Sequence, residues 1–217
     1  MTLWFSMVLS MGAICAQFNE PGRVHISLGG AFGAHATNYK TEQHFNFFGN
    51  HITVDSTTTG GAVSLTVPIE LDFGVARFMS LGLYVEPGSY LDSSATESNS
   101  IVLAGIQPKF YLLNKDRFAL LAALQLGAAG LHIEREEDNG FNSDARYAGL
   151  QWGVGTGVAV GFGDHFGMRF MVRYLATNMA LRGYEVNGDG VDLDNYEARL
   201  KTGGVLFQIS LAARFGG

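Results

Sequence analysis

The chain has one cysteine, four prolines and two tryptophans in 217 residues, and its charged residues amount to only 16%. Each scarcity removes a class of protein. A single thiol cannot build an internal disulfide framework or a cysteine-rich metal knot. Hydrophobic residues make up 47%, too many for a disordered chain. Yet the roughly 18 consecutive apolar residues of a membrane helix never occur, so the hydrophobicity is spread in short intervals. Basic residues are outnumbered, 14 Lys and Arg against 20 Asp and Glu, for a net charge of -6. That balance excludes the clustered basic footprint of a nucleic-acid-binding protein. No linker or low-complexity stretch divides the sequence, so one domain is expected.

What is abundant is glycine, 29 residues, and a period of two. In VSLTVPIELDF, residues 63–73, Val63, Leu65, Val67, Ile69, Leu71 and Phe73 share one parity, and Ser64, Thr66, Pro68, Glu70 and Asp72 share the other. This is a strand with two unlike faces. The apolar parity runs about 11 residues, beyond the usual globular strand of about 5 to 6 and close to what a tilted strand needs to cross a bilayer. The pattern recurs from Val24 through Phe32, Met79 through Val85, Val102 through Leu112, Phe118 through Leu131, Leu150 through Phe162, Met168 through Tyr174, and Val205 through Phe215. Three tight turns are expected at 74–77, 114–116 and 163–165, alternating with four long polar links at about 36–60, 91–99, 132–146 and 176–198. The expected fold is all-β, an eight-stranded antiparallel up-and-down transmembrane β-barrel.

The aromatic residues say which face is outside. Phe73, Phe110, Phe118, Phe162, Phe166 and Phe215 lie beside a short turn or the C-terminus and share the apolar parity, as a membrane girdle would. Trp152, Tyr147 and Tyr174, near the opposite strand ends, are the candidates for a second girdle. A soluble lipocalin-type barrel would show the same alternation. The other face of the sixth strand, however, reads Gly149, Gln151, Gly153, Gly155, Gly157, Ala159, Gly161, which suits a crowded interior and would make a poor water-facing surface. The first 16 residues carry an apolar core from Leu3 to Ile14 and small residues before Gln17. They read as a secretory signal peptide, without the usual basic start, leaving 17–217 as the barrel domain. Cleavage there removes Cys15; a lipid anchor on Cys15 is the other reading, against which Ile14 is a poor fit.

VPIELDF with its turn, FMSLGLYVEPG, GIQPKFYLL and the terminal LFQISLAARF together resemble the small OmpA/OmpX-type eight-stranded outer-membrane barrels, over essentially everything after residue 21. The resemblance implies an integral outer-membrane protein with both termini periplasmic. It also implies outer-membrane lipid and lipopolysaccharide as surroundings, and barrel-assembly machinery that recognises a terminal aromatic. Gly216 and Gly217 after Phe215 depart from that ending. Members of the family include adhesins, structural barrels, immune-evasion proteins and a few enzymes, so the resemblance implies a location and leaves the activity open.

The inward parity carries Glu70, Glu86, Lys109, Arg169, Arg173 and Arg214, with Gln125 and Gln151 among them. Eight strands leave an interior just wide enough for side chains to fill, and an unpaired charge there costs several kcal/mol. Counting from the short turns matches Glu70 with Lys109 low in the barrel and Glu86 with Arg173 at mid-height. A filled lumen is therefore expected; charges that simply reach water at the two mouths are the alternative. For catalysis, His25 and Ser27 share a face, and His35 and His132 lie at outer strand ends, His132 with Glu134 nearby, but no acidic orienting partner is assured. Rim histidines are ordinarily solvated, and no enzyme is expected.

Phe45, Phe47 and Phe48 in the first link form either a surface-contact patch or rings packed over strand extensions. In the fourth link, Glu185, Asn187, Asp189, Asp192 and Asp194 around Gly190 are similar to a calcium loop. The stretch is one residue short, with Asn195 or Tyr196 where the closing Glu belongs. A solvated acidic loop is the plainer reading. No cofactor is expected. The functional expectation is a structural or surface-contact, adhesion-type role, with a surface ligand at the long outer loops, and with a narrow pore or a lipid-modifying enzyme as alternatives.

Overall fold

The computed structural model describes residues 17–47, 50–92, 99–136 and 142–216; the 1–16 segment and Phe48 lie outside them, as do the side chains of Phe45 and Phe47. The strands are β1 (Val24–Phe47), β2 (Asn50–Thr66), β3 (Ile69–Ala76), β4 (Met79–Asp92), β5 (Asn99–Asn114), β6 (Phe118–Glu136), β7 (Asn142–Gly161), β8 (Phe166–Val186), β9 (Asp189–Gly190) and β10 (Tyr196–Phe215). Neighbours pair antiparallel in chain order, and β10 closes on β1 from Val24↔Phe215 to Gln43↔Tyr196. β2 and β3 are two halves of one wall and β9 is a two-residue piece of an outer hairpin, so the ring has eight walls.

The 63–73 stretch is therefore not one unbroken strand. Pro68 has no N–H to give the ladder, and the strand is interrupted there. The register nevertheless continues through the break, with Ala31↔Thr66 above it and Leu28↔Ile69 below. Val67 N–H donates to the Pro87 carbonyl and Gly29 N–H to the Pro68 carbonyl, which carry the hydrogen bonding across.

Three tight turns join the walls as expected; the second and third fall where the sequence places them, while the first lies at 77–78 because 74–76 stay paired in β3. The long links are a correction: most of their described residues are strand. β1 and β2 stay paired out to Phe47↔Asn50, β6 and β7 to Glu136↔Asn142, and β7 and β8 to Ser143↔Val186. Above the membrane both faces of a hairpin meet water, so the alternation of apolar and polar residues fades. The backbone of a run such as Thr57-Thr58-Thr59 still favours the extended conformation, so pairing outlasts its sequence signature.

The burial is that of a soluble protein turned inside out. Leu150 is 77% exposed and Leu65 64%, while Lys109, Arg169 and Glu86 are 0% exposed. Such a wall is stable only in hydrocarbon, and closure of the ring leaves no unpaired strand edge there. Phe73, Phe118, Phe162, Phe166 and Phe215 are exposed beside the short turns and Phe110 is half-buried. At the other end Trp152 and Tyr174 are exposed with ring centroids 5.8 Å apart. Tyr147 does not join them. It shares the inward parity of Gln151 and is buried in the lumen.

Candidate functional site

The lower lumen is built from β3, β5, β8 and β10. Lys109 Nζ lies 2.5 Å from Glu70 Oε2 and 2.8 Å from both carboxylate oxygens of Asp72. Arg169 grips the same two acids from the other side, Nη1 at 2.6 Å from Glu70 Oε2 and Nη2 at 3.0 Å from Asp72 Oδ2. Gln208 Nε2 donates to Glu70 Oε1 at 2.8 Å, and Ser27 Oγ donates to Glu70 Oε2 at 3.2 Å. All four charges are buried. Two cations and two anions balance, each cation touches both acids, and Glu70 is further hydrogen-bonded to Gln208 and Ser27, the kind of pairing under which burial of charge is tolerated. The height count from the turns finds Glu70 and Lys109; Asp72 it leaves out, although it sits two residues from Glu70 on the same parity.

One level higher, Arg173 makes a two-pronged contact with Glu86, Nη1 to Oε2 at 2.9 Å and Nη2 to Oε1 at 2.8 Å, the geometry that strengthens a guanidinium–carboxylate pair. Thr66 Oγ1 donates to Glu86 Oε1 at 2.6 Å. Gly155 on β7 makes room for this arginine: a Cβ there would come within 2.8 Å of Arg173 Cγ. Beside the pair, Gln151 Nε2 donates to the Tyr84 hydroxyl. Gln125 is buried at the same level.

The short-turn end of the barrel holds something that no sequence pattern marks. Residues 17–22 do not trail away but cross the mouth of the barrel. Phe18 and Asn19 are fully buried. Phe18 N–H donates to the Lys115 carbonyl, Asn19 N–H to Asn114 Oδ1, and Asn19 Nδ2 to the Ala76 and Met79 carbonyls. Asn114 Nδ2 returns a bond to the Asn19 carbonyl at 2.7 Å. The strap passes so close over β3 that a Cβ on Gly74 would meet the Glu20 carbonyl oxygen at 2.0 Å. Arg214 has no carboxylate partner among the described residues; its guanidinium lies 4.7 Å from the Phe18 ring centroid and donates to the Gly163 carbonyl. Phe18 is a lone aromatic in a short polar run, and no periodicity marks it.

The upper lumen is mostly apolar, with the hydrogen-bonded pairs Thr177–Thr202 and His35–Ser64 set among the hydrocarbon. Tyr90, Leu103, Leu131, Leu175, Met179, Leu200 and Leu206 form one buried cluster, capped by phenols. Tyr39 Oη is 3.0 Å from Tyr147 Oη and 3.5 Å from Tyr196 Oη. Burial, and then the Tyr147 hydroxyl, push the Tyr39 phenol up to about 12.

Of the catalytic candidates, His25 and His35 gain no acidic partner and His132 does. Neither ring nitrogen of buried His25 has a partner among the described residues, and Ser27 is engaged with Glu70. His35 Nε2 is 2.8 Å from Ser64 Oγ, but its Nδ1 is buried with no group to orient it. His132, Glu134 and Asp144 bring one ligand atom each within 4.8 Å of one another, and His132 Nε2 is 2.8 Å from Asp144 Oδ2. Among the described residues, Asp189, Asp192 and Asp194 are not gathered in this way. Asn187 Oδ1 accepts from Asn142 N–H, and Asp192 Oδ1 from Asp194 N–H, as in a hydrogen-bonded turn.

No family model and no curated protein matches the sequence. Solved structures do match. The outer membrane protein OprG from Pseudomonas aeruginosa aligns at 12% identity and a TM-score of 0.54, over 92% of this chain and 98% of that one. Outer membrane protein AlkL, determined in DMPC lipid bilayers, aligns at 11% identity and a TM-score of 0.50 over 92% of each chain. At these identities the likeness is one of fold: the chain has the fold of the small outer-membrane β-barrels.

Proposed function

We propose that the protein is an integral outer-membrane barrel with a structural or surface-contact role, whose lumen is closed by its own side chains. The observation that carries this reading is the stack of interlocked layers inside the ring: the Phe18 strap, the Glu70–Asp72–Lys109–Arg169 quartet, the Glu86–Arg173 pair and the apolar cluster under the tyrosines. An ion would have to replace those contacts at every level. The surface-contact part rests on the β1–β2 hairpin, which stays paired about ten residues beyond the apolar wall and so reaches roughly 20 Å into the medium at the usual strand tilt. An enzymatic role gains no support from His35 and Ser64, which are buried without an acid to orient the imidazole.

The test is conductance of the refolded protein in planar bilayers. The expected result is no stable channel for the wild type. Large, steady openings at modest voltage overturn the closed lumen and favour the pore.

A further inference from the structure

One arc of the outer wall changes chemistry abruptly with height. On β1 the lipid-facing residues run Val24, Ile26, Leu28, Gly30, Phe32, Ala34, Ala36, and opposite them on β10 run Phe215, Ala213, Leu211, Ile209, Phe207, Val205, Gly203. Twelve residue steps of a tilted strand span about 30 Å, the thickness of a hydrocarbon core. The next row is Asn38 opposite Lys201, which in turn faces Asn178 on β8. The row above it is Lys40 opposite Arg199, and only beyond that come Glu42 and Glu197. Lys40, Arg199 and Lys201 are all exposed. Three cations thus stand at the level where lipid headgroups begin, with the acids one row further out.

The arrangement is unfavourable without a partner. Like charges directly opposite on neighbouring strands repel, and Lys40 faces Arg199 in register. Among the described residues Lys40 is ion-paired with its second-neighbour Glu42 and Arg199 with its second-neighbour Glu197, and Asp55 on β2 faces Glu42. Lys201 has no ion pair among the described residues. On the other flank, the positions of β2 facing Asn38 and Lys40 are Thr59 and Thr57, so the cations are confined to the β8–β10–β1 side. In a chain of net charge -6, what stands out is the layering: the cations hold the two rows at the headgroup level, and the acids Glu42, Glu197 and Asp55 lie one row further out.

We propose that Lys40, Arg199 and Lys201 form a docking site on the membrane-facing wall for the phosphate of a phosphorylated outer-leaflet lipid, with the amides of Asn38 and Asn178 as additional donors. The inference rests on the membrane reading above. Juxtamembrane cations attract anionic headgroups by about five-fold in affinity each, and the lipid's acyl chains would lie along Phe32, Phe207 and Val205, which are exposed directly below.

The experiment places the refolded barrel in phosphatidylcholine nanodiscs doped with bis-phosphorylated lipid A or with the same lipid after enzymatic dephosphorylation, and counts the doped lipid retained per barrel by native mass spectrometry. The wild type is expected to retain the phosphorylated form preferentially. K40Q/R199Q/K201Q is expected to lose that preference, whereas E134Q/R146Q on the β6–β7 side keeps it. Heat-modifiable gel mobility checks folding, and if the triple variant does not fold, K201Q alone is expected to weaken retention about five-fold. Equal retention of the two lipids, an unchanged variant, or full displacement by inorganic phosphate overturns this inference while leaving the barrel in the membrane. A chain that does not insert at all overturns the membrane reading as well.

Discussion

The lower and upper halves of the lumen fill the same narrow cylinder by opposite means. Below, four charges from three strands are locked into one network with Gln208 and Ser27. Above, Leu103, Leu131, Leu175, Leu200 and Leu206 pack around Met179 beneath three tyrosine hydroxyls. The charged half depends on stoichiometry, because any one ion removed leaves another unpaired in a space with little water. The upper half depends mainly on volume, since its leucines and Met179 need only be packed against. A substitution in the first is therefore contingent on its partners, and in the second it is not.

The largest effect is expected from Lys109→Met. It leaves Glu70 and Asp72 with Arg169 alone, at a cost of about 3 to 5 kcal/mol, read as a fall in the urea midpoint of the barrel in lipid vesicles. Replacing the whole quartet, E70Q/D72N/K109M/R169M, should recover most of that loss. If the four-fold variant is as unstable as the single one, the contrast between the halves is wrong. In the upper half, Leu103→Ala should cost about 2 to 4 kcal/mol by the same measurement, and its effect should add to that of Lys109→Met because the two sites share no partner.

Glu86 and Arg173 sit between the two regimes. Glu86→Ala should destabilise the wild type more than it does an Arg173→Ala background, with a coupling of about 1 to 3 kcal/mol; independent effects would mean that the pair contributes nothing beyond its parts. The strap gives a smaller effect. Asn114→Ala removes its bonds to Asn19 at a cost of about 1 to 2 kcal/mol, and trypsin should then cut after Arg23 faster than in the wild type while the barrel stays folded.

The smallest effect lies at the outer mouth. The Tyr39 phenol, held at about 12 against an ordinary 10.0, keeps its proton in the folded state when the unfolded chain has lost it. Its contribution to stability is therefore complete below pH 10 and is lost as the pH rises toward 12. The ring NMR signals of Tyr39 should titrate late, with a midpoint that falls in Tyr147→Phe. An unmoved midpoint would detach the two phenols.

Parity was legible because it is local. The pleat sends successive side chains to opposite faces whatever the rest of the chain does, so Leu65 and Phe207 outside, and Glu86 and Arg173 inside, follow from position and polarity alone. The same logic read too much loop into 36–60 and 176–198, because strands standing in water lose the contrast that parity needs. It also set Tyr147 beside Trp152 by nearness to a strand end, although the odd-numbered Tyr147 belongs with Gln151.

By itself, then, the sequence determined the strands, their number and order, the three tight turns and the two faces of the wall, all of which follow from backbone geometry and the choice between hydrocarbon and interior. Only the tertiary structure decided who meets whom across the lumen. Arg169 reaches Asp72 over 97 residues of separation, and Phe18 finds Arg214 from the far end of the chain. Those contacts depend on the stagger at which the ring closes, β10 onto β1, and stagger is a property of the whole barrel that no single strand encodes.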